Sequence, residues 1–142
     1  MGAVKFEKAP DIELMLYRVM DRFREEFPHI NQFRVICLRS SGSTANAYAR
    51  IWAMPKAWQV ALDINTFYVL EVISEKFDRL PESEKEKTLL HEILHIPKTF
   101  SGALLPHVYG KDQRHIEERV DDYFSKKGKA PIEEKEEDFL HG

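Results

Sequence analysis

Pro81-Glu82-Ser83-Glu84-Lys85-Glu86-Lys87-Thr88-Leu89-Leu90-His91-Glu92-Ile93-Leu94-His95-Ile96-Pro97 carries the decisive pattern of this chain. Pro81 suits a first helical position, and Ser83 with Glu86 has the spacing of a capping box. Leu89, Leu90, Ile93 and Leu94 then recur at helical spacing. Pro97 disfavours a helical Ile96, so the helix should stop just after His95. Residues four apart share one helix face, so His91 and His95 can present two imidazoles to a single Zn2+. Glu92 lies about 100° further round the helix, where it misses direct ligation but reaches a water on the metal. Zinc lowers the pKa of that water, the carboxylate takes the proton, and it can later hand the proton to a leaving amine.

Working outward from the motif, the next need is a third ligand, because a catalytic zinc keeps three protein ligands and one open position. His107 is the choice. Eleven residues separate it from His95, Pro97 turns the chain at once, and Gly102 can take the positive φ that folds the loop back. The alternative ligand is Glu117 on a last helix. With Ile116, Val120 and Phe124 as the inward stripe, Glu117 flanks the buried face, whereas Glu118 points away from it. Tyr109 and His115 are candidates to stabilise a developing oxyanion. Asp121 or Asp122 could orient a ligand histidine through its other ring nitrogen, with nothing to select between them. His29 and His141 have no partner pattern.

The flanking sequence reads as an α+β domain: about three mostly antiparallel strands packed on about four helices, with H-E-x-x-H on the third helix. Ile12, Leu16, Val19, Met20, Phe23 and Phe27 mark an amphipathic helix over residues 11–27, closed by Pro28. Residues 33–39, 48–54 and 58–64 read as strands, the last with Val60, Leu62 and Ile64 on one face. Their short connections favour antiparallel neighbours. Asn65 or Thr66 could cap a helix running through Phe67, Leu70, Ile73 and Phe77. The last helix starts near Asp112. Residues 1–9 read as a lead-in, residues 1–125 as a single domain, and the charged stretch 126–142 as a disordered tail.

At 142 residues, with 43% hydrophobic and 32% charged positions, the chain can bury a core without disulfides. Cys37, the only cysteine, lies in an apolar run and reads as a small buried hydrophobe. The net charge of −3 gives no reason to expect nucleic acid or an anionic membrane as partner. No apolar run approaches membrane-spanning length, and a cytoplasmic protein is expected.

At His91-Glu92-Ile93-Leu94-His95-Ile96-Pro97, then Phe100-Ser101-Gly102-Ala103-Leu104 and Pro106-His107, the chain resembles a family of small phage and prokaryotic metallopeptidases. The likeness runs from about Phe33 to the last helix. More distantly it is similar to SprT-like and other minimal zincin domains, which pack a helix carrying H-E-x-x-H against a small sheet. The resemblance implies His91, His95 and His107 as ligands, Glu92 as general base, and peptide binding by strand addition at an edge strand beside the cleft. The chain lacks the Gly and His that follow the motif in metzincins. The expectation is a zinc metallopeptidase acting on a protein or peptide. The alternatives are a non-proteolytic zinc-binding domain that binds peptides or regulates, and a zinc amidohydrolase.

Overall fold

The computed structural model describes residues 3–106 and 116–127. Four strands form one mixed sheet: β1 (Lys5–Lys8), β2 (Val35–Ser41), β3 (Ala49–Trp52) and β4 (Tyr68–Ile73), in the order β1-β2-β4-β3. β1 runs antiparallel to β2, β2 parallel to β4, and β3 antiparallel to β4. Five helices accompany them: α1 (Pro10–Arg22), α2 (Lys56–Leu62), α3 (Ser74–Phe77), α4 (Glu82–Ile93) and α5 (Ile116–Lys127). A single 3-10 turn, Gln32–Arg34, leads into β2.

The core lies between one face of the sheet and helices α1, α4 and α5. Proline in its first turn starts α1, which buries Ile12, Met15, Leu16, Val19 and Met20. Opposite them the sheet offers Val35 paired with Tyr68 and Cys37 paired with Leu70, all fully buried. Leu89, Leu90 and Ile93 bring α4 into the same core, and Arg22 of α1 meets Glu86 of α4 at 3.0 Å. Val120 anchors α5, whose Phe124 and Tyr123 rings lie 5.2 and 6.1 Å from that of Phe23. Removing a leucine side chain from such a site costs about 2–5 kcal/mol, so α4 is held firmly against the sheet.

The α+β class holds, but several elements differ from the sequence reading. Residues 58–64, expected as a strand, lie largely in helix α2 (Lys56–Leu62), whose N-cap is Pro55 and whose C-cap, Asp63, takes the left-handed conformation. Its alternating apolar residues have no core to face: Trp58 is 61% exposed and Val60 70%. The helix expected through Phe67–Phe77 is instead strand β4 followed by the short α3. As an inner strand, β4 is buried on both faces from Leu70 to Ile73, with only the buried Glu71 interrupting its apolar residues, and so shows no alternation of apolar and exposed polar positions. That also explains the mixed sheet. β4 inserts between β2 and β3, which were expected to be neighbours, and pairs in parallel with β2.

The lead-in contains β1, whose four residues are all exposed and carry no apolar period. Among the described residues the sheet thus has four strands rather than about three, and H-E-x-x-H falls at the end of the fourth α-helix of five rather than on the third of about four. α1 ends at Arg22, before Pro28, although Phe23 and Phe27 are still buried in the turns beyond it. The Ser83–Glu86 capping box is absent. Pro81 is the N-cap, no side chain caps it, and Glu86 is engaged with Arg22. Residues 128–142, nearly all of the expected tail, lie outside the described residues, as does any start of α5 before Ile116.

Candidate metal centre

α4 runs out within the motif. Its last helical residue is Ile93 and Leu94 caps it, while His95 N–H donates to the Glu92 carbonyl at 3.1 Å and Ile96 N–H to that of Ile93 at 3.0 Å. These are i to i+3 bonds, the tightened last turn common at helix ends. His91 therefore stands on the final turn and His95 just beyond it. Their ring centroids are 5.2 Å apart, inclined by 64°. Two imidazoles bonded to one tetrahedral zinc at about 2.0–2.1 Å have ring centres about 5 Å apart, so this spacing fits a shared ion.

His95 is 8% exposed, and its Nδ1 lies 2.6 Å from the carbonyl oxygen of Leu105. A carbonyl can only accept, so Nδ1 carries the proton of this contact, and in the neutral ring Nε2 is the basic nitrogen. Leu105 N–H in turn donates to the His95 carbonyl at 2.6 Å, so the two residues are tied through both backbone and ring.

Glu92 Oε2 lies 4.0 Å from His91 Nε2. That is too far for a short ion pair, but close enough to address a ligand of an ion held at Nε2. Glu92 is 7% exposed, and burial pushes its carboxyl up to about 8. A cation at the imidazoles opposes that effect and favours the ionised form.

The three motif side chains line a cleft of about 950 Å³. Its walls are the segment Asn46–Ile51 including β3, the exposed face of α4 at Glu84, Lys87 and Thr88, Leu104–Pro106, and Val120 and Asp121 of α5. Lys87 bridges Glu84 at 3.7 Å and Asp121 at 3.6 Å.

Among the described residues β3 is an edge strand, and its register fixes which backbone groups point away from β4. Ile73 N–H donates to the Tyr48 carbonyl at 2.9 Å, and the next pairs are Ala49 with Val72, Arg50 with Glu71, and Ile51 with Leu70. Antiparallel pairs alternate between hydrogen-bonded and not, so Ala49 and Ile51 direct their N–H and C=O groups away from β4. On the opposite face, Arg50 Nε and Trp52 Nε1 each donate to the fully buried Glu71 Oε1 at 2.8 Å and pin the strand. Burial acts to raise the Glu71 carboxyl, but the bonds from Arg50, Ser40 and Trp52 outweigh it and hold the group below its ordinary range.

Of the residues singled out from sequence, His91, Glu92 and His95 come together at the cleft. His107, Tyr109 and His115 lie outside the described residues. Glu117 sits on α5 one turn before Asp121, and its side chain is likewise outside the described set. Glu118 is exposed, as expected, and Asp121 reaches the cleft through its pair with Lys87. Among the described residues, no three metal-binding side chains come together in one group.

Sequence reasoning missed the Leu105 carbonyl and the pinned edge strand. The first is a backbone group with no residue signature, and the second depended on pairing β3 with β4.

A family model described as "Putative phage metallopeptidase" matches residues 4–130, which span every element of the fold up to α5. No curated protein and no solved structure matches the chain. The likeness read from the motif and the loop after it is thus borne out over nearly the whole chain, and the protein belongs to the phage metallopeptidase family.

Proposed function

We propose that the chain is a zinc-dependent peptidase in which His91 and His95 hold the ion and Glu92 is the general base. One observation carries this reading: two imidazoles at the spacing of a shared ion, with a buried carboxylate beside them, open onto a cleft bordered by β3, an edge strand among the described residues. His107 completes the ligand set. It follows directly on Leu105 and Pro106, which line the cleft, and the Leu105 bonds to His95 bring the chain to the site two residues earlier. Glu117 is the substitute should His107 prove dispensable.

Such an ion, when bound, acidifies water and polarises a carbonyl. The protein's own groups do the rest. The substrate lies along β3 as an added strand and meets the outward N–H and C=O groups of Ala49 and Ile51. Glu92 accepts a proton from the attacking water as the new C–O bond forms. It returns that proton to the amine nitrogen as the C–N bond breaks, so the products are one carboxylate and one amine. The Leu105 carbonyl keeps the His95 ring in a single orientation throughout.

Glu92→Gln tests the reading. The variant should retain zinc and lose peptide cleavage by about 10²–10⁴-fold. Cleavage at the parental rate would remove Glu92 from the chemistry. Loss of zinc together with activity would make it a structural residue.

A further inference from the structure

The segment between His95 and the cleft wall at Leu105–Pro106 is held by two side chains from outside it, one on β4 and one on α2. Tyr68, the first residue of β4, is fully buried, and its hydroxyl is used twice. It donates to the Ala103 carbonyl at 2.8 Å and accepts from Gly102 N–H at 2.9 Å. Its ring meets Phe100 edge-on, with centroids 5.1 Å apart. Gln59, the buried residue of the otherwise exposed α2, donates from Nε2 to the Ser101 carbonyl at 3.1 Å and to the Met54 carbonyl at 3.0 Å. Gly102 has φ +98, and a Cβ there would collide with Gln59 Nε2 and the Met54 carbonyl. Backbone, phenol and amide therefore interlock at one point. Three residues further on, Leu105 meets His95 through both of its backbone groups.

We propose that Tyr68 and Gln59 are positioning residues of the metal centre: by fastening Ser101–Ala103 to β4 and α2, they deliver the Leu105 carbonyl to His95 Nδ1 and hold that ring with Nε2 toward the ion. The proposal rests on the reading of His91 and His95 as ligands. It also accounts for features that reading leaves unexplained. A phenol at the start of the central strand is spent entirely on loop backbone, and α2 is held by a polar residue while its apolar ones face solvent. A purely structural anchor would fix the loop. This one fixes it at the residue that sets a ligand's tautomer, and partners of that kind are worth about 10–100-fold in metal affinity.

The test uses Tyr68→Phe, which keeps the ring packing and removes the hydroxyl, with Gln59→Leu as a second, independent variant and His91→Ala as the control. Two readouts are taken on the full chain. The first, without metal, is the ring 15N spectrum of His95 and the exchange rate of the Leu105 amide. The second is zinc affinity by competition with a chelator.

In the parent, His95 should be fixed as the Nδ1–H tautomer. In both variants the tautomers should mix, Leu105 exchange should quicken by about tenfold or more, and zinc should bind about 10–100-fold more weakly. Parental zinc affinity and an unchanged His95 spectrum in both variants would overturn the proposal while leaving the metal reading intact. If the parent binds zinc no better than His91→Ala, the metal reading fails and takes the proposal with it.

Discussion

Glu92→Gln separates the charge of the motif carboxylate from its shape and gives a signal before any substrate is known. In the metal-free protein, burial holds the Glu92 carboxyl at about 8, against an ordinary value of 4.5. Between those two values the folded chain keeps a proton that the unfolded chain has released. A raised carboxyl therefore contributes stability that is lost as pH rises across that window. One pKa unit corresponds to 1.36 kcal/mol, so the penalty built up between pH 4.5 and pH 7 is on the order of 3 kcal/mol.

Glutamine has nearly the same shape and no proton to hold. Urea denaturation of the metal-free parent and variant, from about pH 5 to about pH 8, should show the variant gaining on the parent by about 1.4 kcal/mol per pH unit, with the gain levelling off above pH 8. Saturating zinc should shrink the gap, because the ionised carboxylate then has a cation beside it. Parallel stability curves for the two metal-free proteins across this range would refute the reasoning, since Glu92 would then be ionised and solvated in the fold.

Other expectations concern different parts of the molecule. Cys37 is buried, and burial pushes its thiol up to about 12, so thiol reagents should leave it unmodified in the native protein and label it quickly in denaturant. Labelling of the native chain at the denatured rate would contradict its place under α1. Leu90→Ala, deep in α4, should cost about 2–5 kcal/mol by denaturant titration, and a change near zero would place α4 outside the core. Ala49→Pro removes one outward N–H from β3 without touching the β4 ladder, a change that edge strands accept. It should raise the peptide KM by about tenfold, the worth of one hydrogen bond, and leave zinc content alone. An unchanged KM would argue against strand addition.

The centre of the site was legible because its requirement is local. His91 and Glu92 stand on the last turn of α4 and His95 on the tightened turn that closes it, and Leu89, Leu90 and Ile93 supply the helix. α1 and, on α5, Val120 and Phe124 were legible for the same reason. The sheet was not. β4 is buried on both faces at Leu70–Ile73, so it lacks the strand alternation, and the spacing of Phe67, Leu70, Ile73 and Phe77 resembled that of a helix, while the exposed Val60, Leu62 and Ile64 mimicked a strand face. Confusing these two elements hid both the parallel pairing and the identity of the edge strand. The Leu105 contact was beyond sequence reasoning because a main-chain carbonyl reports nothing of where it points. Gly102 was singled out for a positive φ, and it has one, at +98.

The most direct measurement is zinc content per chain, after metal loading and exhaustive dialysis, in the parent and in His91→Ala and His95→Ala. The expected result is about one tightly held ion in the parent and almost none in either variant. Equal metal in all three, or none in the parent, would contradict a metal centre at the end of α4.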